Sequence, residues 1–140
     1  HFAVTYGDGV CDVDLEKEFN FHLTNNKIGT VTAVSPSARF GMLDLTEDKV
    51  VKQFMEKPEE QNDLINGGFF FFKSEFKNYL SRDKSCILER TPLEKLAKSN
   101  ELVAFEHSGF WQCMDTLRDK NLLQDLWDSG KPPWLRQNNI

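Results

Sequence analysis

The sequence predicts an α/β protein, a mixed and mostly parallel sheet flanked by helices in an α/β/α sandwich. Two observations carry this. Short apolar or β-branched runs over residues 1–6, 29–34, 65–72 and 102–106 alternate with segments of helical periodicity, and those helical segments open on recognisable caps. The 140 residues make a single domain, 1–140, large enough to bury a core.

The elements follow in order. Residues 1–6 form a strand that runs into Gly7-Asp8-Gly9. Asp14 caps a helix over 15–25, with Leu15, Phe19 and Leu23 at i, i+4 and i+8 facing the core and His22 on the surface. Residues 29–34 make a second buried strand. Residues 40–45 and 50–56, split by Thr46-Glu47-Asp48-Lys49, read as a hairpin. In the strand over 65–72, Phe69 to Phe72 need cover on both faces. Gly67 and Gly68 weaken its pairing and mark either a β-bulge or a close approach to the backbone.

Ser74 caps a short helix carrying Phe76, Tyr79 and Leu80. Thr91-Pro92-Leu93-Glu94 signals a helix start, with Thr91 as cap, Pro92 first in the helix and Glu94 closing a capping box. After a strand over 102–106, the last helix begins at Thr116 with Asp119 as capping partner. It carries Leu122, Leu123, Leu126 and Trp127 on one face and stops at Gly130 and Pro132. Trp111 and Trp127 are assigned to the core.

Composition excludes several functions. A net charge of −5 speaks against nucleic acid, which calls for a basic face. The longest solid apolar run, Phe69 to Phe72, is far too short to span a membrane, and no secretory signal is visible. Cys11, Cys86 and Cys113 lie far apart without a CxxC pair, which is neither a disulfide framework nor a zinc site and fits a reducing cytoplasm. His22 and His107, a strand-end residue, lack ligand-like spacing, and Cys113 packs rather than reacts. The start at His1, on a strand with no preamble, fits a chain cut from a longer one.

Taken alone, Gly7-Asp8-Gly9 is a turn and Asp115 a carboxylate beside a helix N-terminus. An aspartate between glycines at the carboxyl end of a strand is also where α/β folds place ligands, and two carboxylates suit Mg²⁺. To these add Ser37-Ala38-Arg39-Phe40-Gly41, Glu56-Lys57-Pro58, Ile65-Asn66-Gly67-Gly68-Phe69-Phe70 and Gly109-Phe110-Trp111-Gln112-Cys113-Met114-Asp115-Thr116. With these segments the chain resembles the sugar-1-phosphate nucleotidylyltransferases over nearly its whole length, but only the second half of such an enzyme. The likeness is greatest to the branch that joins glucose 1-phosphate to a cytidine nucleotide.

The resemblance implies a C-terminal portion of a nucleotide-diphospho-sugar transferase, a Rossmann-like fold in which the first two long strands are parallel neighbours across a βαβ crossover. It implies that Asp8 and Asp115 hold Mg²⁺ against the nucleotide phosphates and that Lys57 binds the phosphate of the sugar 1-phosphate, these three being the catalytic residues. Glu56 and Asn66 then take sugar hydroxyls, while Gly41 and Gly67 line the sugar pocket; Arg39 reads as a surface residue.

The family's glycine-rich phosphate loop, with its Gly-Thr-Arg-Leu-like signature and a Pro-Lys-Pro-like lysine, occurs nowhere in these 140 residues. The expectation is therefore a metal- and sugar-phosphate-binding half, inactive alone. Its sheet edge, left open, pairs as a homo-oligomer, most simply a dimer. The alternative is a non-catalytic module that keeps the sugar-phosphate pocket or only the fold.

Overall fold

The computed structural model describes residues 1–36, 41–56 and 63–135. Lys57 and the segment Ser37-Ala38-Arg39-Phe40 lie outside the described residues. In chain order the elements are β1 (Phe2–Thr5), β2 (Gly9–Cys11), α1 (Leu15–Asn25), β3 (Gly29–Val34), β4 (Met42–Leu45), β5 (Val51–Met55) and β6 (Ile65–Phe72). A 3₁₀ helix (Ser74–Tyr79) leads on to α2 (Thr91–Lys98), β7 (Leu102–His107), β8 (Trp111–Cys113) and α3 (Leu117–Asp128).

The main sheet has the order β1-β6-β3-β7. Strands β1, β3 and β7 run one way, and β6 runs against both of its neighbours. The sheet is thus mixed, as expected, but β1 and β3 are not the neighbours that a simple crossover predicts. Strand β6 lies between them because its run of four phenylalanines needs cover on both faces, and an interior position supplies it. Between the pairs Val31–Phe70 and Ala33–Asn66, β3 advances two residues while β6 advances four, so Gly67 and Gly68 lie in an irregular, bulged stretch.

Alternation along β3 sorts the helices to opposite faces. Gly29 faces α2, where an added Cβ would meet Leu96 Cδ2 at 2.7 Å and Phe72 Cε1 at 3.0 Å. Phe70, Phe72, Phe76, Leu93 and Leu96 form the buried apolar cluster on that side, with the Phe72 and Phe76 rings stacked at 3.9 Å. Thr30 and Thr32 point the other way, to α1.

Helix α1 has the predicted limits, with Asp14 accepting the Lys17 N–H at 3.1 Å, but it is rotated relative to the sequence reading. Phe19 packs inward on Phe71, whereas Leu15 and Leu23 are 50% and 44% exposed. Glu18 and His22 take the inward face, both at 0% exposure, so His22 is no surface residue. The cause is the strand beneath. Thr32 Oγ1 donates to Glu18 Oε1 at 2.6 Å, and Thr30 Oγ1 meets His22 Nδ1 at 2.8 Å, so polar side chains are the ones that fit.

Helix α2 begins one residue early, with Arg90 at its cap and no side-chain capping bond; Thr91 is already helical, which removes the expected capping box. Helix α3 has the predicted box: Thr116 Oγ1 accepts the Asp119 N–H at 3.2 Å, and Asp119 Oδ2 accepts the Thr116 N–H at 3.1 Å. Leu123 is its buried apolar residue, while Trp127 is 54% exposed and not core. The β4–β5 hairpin forms as predicted, Lys49 turning it at φ 65°, and stands as a separate two-stranded sheet with Leu43 and Phe54 exposed. Among the described residues no helix is long and apolar enough to cross a membrane.

Candidate functional site

Strands β2 and β8 form a short antiparallel ladder apart from the main sheet, pairing Gly9 with Cys113, Val10 with Gln112 and Cys11 with Trp111. Backbone bonds extend it at both ends: Met114 N–H donates to the Asp8 carbonyl at 2.8 Å, and Asp12 N–H donates to the Phe110 carbonyl at 3.1 Å. Asp8 therefore lies opposite Met114, and Asp115 is the next residue on. Two carboxylates from opposite ends of the sequence thus reach one end of one ladder, both exposed. Their oxygens match what Mg²⁺ takes from protein, one or two carboxylates with the remaining positions left to water and phosphate.

A second set of contacts ties this ladder to the start of β6. Trp111 Nε1–H donates to the Gly67 carbonyl at 2.8 Å, and Tyr6 N–H donates to the Gly68 carbonyl at 2.9 Å. The Tyr6 ring lies on Gly68, where an added Cβ would fall 2.7 Å from Tyr6 Cδ2 and where φ is +81°. At Gly67 an added Cβ would fall 2.9 Å from the Thr32 carbonyl. The glycine pair is thus required for close packing within the protein, by Tyr6 on one residue and β3 on the other.

Asn66 is held by the same group of residues. Its Nδ2 donates to the Tyr6 hydroxyl at 3.0 Å, and its Oδ1 accepts the Gly68 N–H at 2.8 Å. The Tyr6 hydroxyl in turn donates to the Glu89 carboxylate. Burial first, and then the bond to Glu89, push the Tyr6 phenol up to about 12, so it stays a neutral donor. Sequence reasoning missed both Tyr6 and Glu89. Tyr6 adjoins the Gly-Asp-Gly turn and was a visible signal, whereas Glu89 is far away in the chain.

Glu56 follows the last residue of β5 and is exposed. A Cβ added to Gly41 would lie 3.1 Å from both Glu56 Oε2 and Phe54 Cζ, so the bare glycine is what lets that carboxylate lie against the backbone without shifting. The structure thus brings Gly41 to Glu56, and Asn66 and Gly67 to the ladder that bears Asp8 and Asp115.

A mixed sheet with helices on both faces, carrying carboxylates on a side ladder beside a glycine-bearing strand, is an α/β architecture with ligand-type side chains gathered outside the main sheet. The Nucleotidyl transferase family matches residues 1–120, and the chain belongs to that family. Glucose-1-phosphate cytidylyltransferase of Salmonella typhimurium is 47% identical over 133 residues, spanning 95% of this chain and 51% of that protein. The mannose-1-phosphate guanylyltransferase catalytic subunit beta of Drosophila melanogaster is 30% identical over 128 residues, 89% of this chain and 34% of that protein. Among solved structures, HddC from Yersinia pseudotuberculosis complexed with GMP-PN superposes with a TM-score of 0.61 at 22% identity, covering 90% of this chain and 55% of that one. That likeness supports the fold alone. The chain spans about half the length of the cytidylyltransferase it matches.

Proposed function

We propose that this chain is the metal- and sugar-phosphate-binding part of a sugar-1-phosphate nucleotidyltransferase of the glucose-1-phosphate cytidylyltransferase type. The reaction joins a nucleoside triphosphate and glucose 1-phosphate to give a nucleoside-diphosphate sugar and pyrophosphate. The observation that carries the reading is the β2–β8 register, with Asp8 and Asp115 at one end and Trp111 linking the ladder to Gly67. The 47% identity to the Salmonella protein supports glucose 1-phosphate and a cytidine nucleotide as the substrates.

Asp8 and Asp115 hold a divalent cation, and Mg²⁺ suits their hard oxygens. That cation, when bound, supplies neutralisation of phosphate charge. Lys57 offers a compact positive charge to the phosphate of the sugar 1-phosphate. Glu56 accepts hydrogen bonds from sugar hydroxyls, and Asn66 uses the donor and acceptor capacity left over from Tyr6 and Gly68. Gly41 admits the Glu56 carboxylate close to the backbone, and Gly67 sets β6 against β3, so the two glycines shape the sugar pocket through their neighbours. The sugar-phosphate oxygen attacks the α-phosphorus as the bond to pyrophosphate breaks, so these residues align and neutralise without forming a covalent bond themselves.

The triphosphate cradle of such enzymes has no counterpart motif in the 140 residues, so the chain alone releases no pyrophosphate from CTP and glucose 1-phosphate. Mg²⁺-dependent release by the chain alone, lost in Asp8→Asn, would discard that division of labour. Calorimetry with glucose 1-phosphate and Mg²⁺ tests the site itself: weak binding is expected, weakened further by Lys57→Ala and by Asp8→Asn. Equal heats for all three proteins would remove the assignment.

A second reading, an assembling module, draws on β1 at the edge of the main sheet and on the exposed apolar residues of the hairpin, Leu43, Leu45, Val51 and Phe54. These surfaces favour a homo-oligomer, most simply a two-fold dimer. Light scattering at micromolar concentration gives a dimer mass on this reading and a monomer mass against it. With no disulfide among the described residues, the thiols of Cys11, Cys86 and Cys113 go with a cytoplasmic setting.

A further inference from the structure

Close to the ladder, but at its other end from Asp8 and Asp115, a different set of side chains converges. Cys11, Asp12 and His107 are half-buried, and one ligand atom from each lies within 4.8 Å of the other two. His107 Nε2 and Asp12 Oδ1 are already 2.8 Å apart. Space for that pair depends on Gly109, where an added Cβ would fall 2.6 Å from His107 Cε1 and collide with Asp12 as well.

An independent observation comes from α1. Glu18 is completely buried, and its Oε2 is a buried side-chain oxygen without a hydrogen-bond partner among the described residues. Its charge acts on the Cys11 thiol, and the His107 ring acts on Glu18 in turn. A buried, unpartnered carboxylate oxygen costs about 1–3 kcal/mol or more and calls for an explanation. Thr32 accounts for one oxygen only. The other oxygen is left without a partner among the described residues, on the side of α1 that is coupled to Cys11 and His107.

We propose that Cys11, Asp12 and His107, with the Glu18 carboxylate behind them, form a binding site for a borderline-soft divalent cation of the zinc class. The donor set is the reason for that class: one sulfur, one imidazole nitrogen and carboxylate oxygens match Zn²⁺ and not the all-oxygen preference of Mg²⁺. Around tetrahedral bonds of ~2.0–2.3 Å the wider donor separations close by about 1 Å, while the His107 Nε2–Asp12 Oδ1 pair, 2.8 Å apart, opens by about half an ångström to admit the ion. Binding sends the thiol proton to solvent and leaves sulfur as thiolate, and the proton of the His107 Nε2–Asp12 bond passes to Nδ1 or to solvent so that both atoms face the ion. Loss of the thiol proton works against burial, which raises the Cys11 thiol to about 11, and is driven by the Zn–S bond. The sequence reading saw no zinc site because the ligands do not share a local motif: Asp12 and His107 are 95 residues apart.

The test uses the reduced, chelator-treated chain with Cys86→Ser and Cys113→Ser, so that Cys11 is its remaining thiol. Calorimetry with Zn²⁺ should give one ion per chain, and Co²⁺ should produce a thiolate-to-metal charge-transfer band. Cys11→Ser should abolish the band and weaken Zn²⁺ binding by at least about tenfold, and Glu18→Gln should weaken it in the same direction. Cys11→Ala, checked for native circular dichroism, separates ligand loss from misfolding. Asp8→Asn should leave the band unchanged. Absence of the band, Zn²⁺ binding that survives Cys11→Ser and Cys11→Ala, or a band lost in Asp8→Asn would each overturn the proposal.

Discussion

The two faces of the main sheet are built on different chemistry. Toward α2 the sheet presents Phe70 and Phe72 to Phe76, Leu93 and Leu96, with no polar side chain in the cluster. Toward α1 it presents Thr30 and Thr32 to His22 and Glu18, four fully buried polar side chains joined in pairs. One face is held by area removed from water, which tolerates small shifts. The other is held by directional bonds whose partners cannot be removed singly. The difference teaches that burial at these positions does not track hydrophobicity, and it tells where substitutions will hurt and how.

The largest effect belongs to the apolar face. Phe72→Ala should destabilise the chain by about 4 kcal/mol in urea unfolding, because the ring stacked on Phe76 leaves a cavity that its neighbours cannot fill. A loss below about 1 kcal/mol would show that this face repacks freely. Next comes the polar face. Thr32→Val takes the donor from Glu18 and should cost about 2 kcal/mol. Pairing Thr32→Val with Glu18→Leu should recover most of that loss, since an apolar pair leaves nothing unsatisfied; a double variant as weak as the single would contradict the account.

The two faces also part under titration. Burial raises the Glu18 pKa above 4.5 in the folded state, so above pH 4.5 the unfolded chain sheds a proton that the folded chain retains. Stability from this group is therefore present below 4.5 and falls as pH rises through the folded pKa. Burial lowers the His22 pKa below 6.5, so its effect runs the other way: stability is kept above 6.5 and lost as pH drops toward the folded value. Denaturation midpoints across this range should flatten at the alkaline side in Glu18→Gln and at the acid side in His22→Gln, whereas Phe72→Ala should keep the wild-type pH profile. The smallest effect is expected at Leu23→Gln, within about 0.5 kcal/mol, because that leucine faces water. A loss of several times that figure would mean that α1 presents the face its apolar spacing suggested.

What was legible in the sequence was mostly local. Asp14 and Thr116 announced α1 and α3 through cap chemistry set by a few neighbouring residues, and the Thr46-Glu47-Asp48-Lys49 turn announced the hairpin. Thr91 misled by one position because the cap depends on the preceding backbone, which places Arg90 there instead. The rotation of α1 was not legible: Leu15, Phe19 and Leu23 satisfy helical periodicity, and only the threonines of a strand later in the chain select Glu18 and His22 instead. Strand order was hidden for the same reason, since the insertion of β6 between β1 and β3 is decided by cover for both faces of a distant segment. In the site, the glycines around Asp8 and the capped helix after Asp115 marked both carboxylates. The Tyr6–Glu89 bond and the Asp12–His107 pair are long-range events without a local trace.

The β2–β8 ladder has one more consequence. Its paired strands are three residues long, and it shares no strand with the main sheet. It acts as a clasp: undoing a handful of backbone bonds and the Trp111 link would separate Asp8 from Asp115 while both covered faces of the sheet stayed closed. The free energy needed to open the clasp is thus smaller than that needed to unfold the chain. On the proposed reading, an ion bridging its two sides would be the fastener, and the amides of Val10 and Gln112 would then gauge what the site holds.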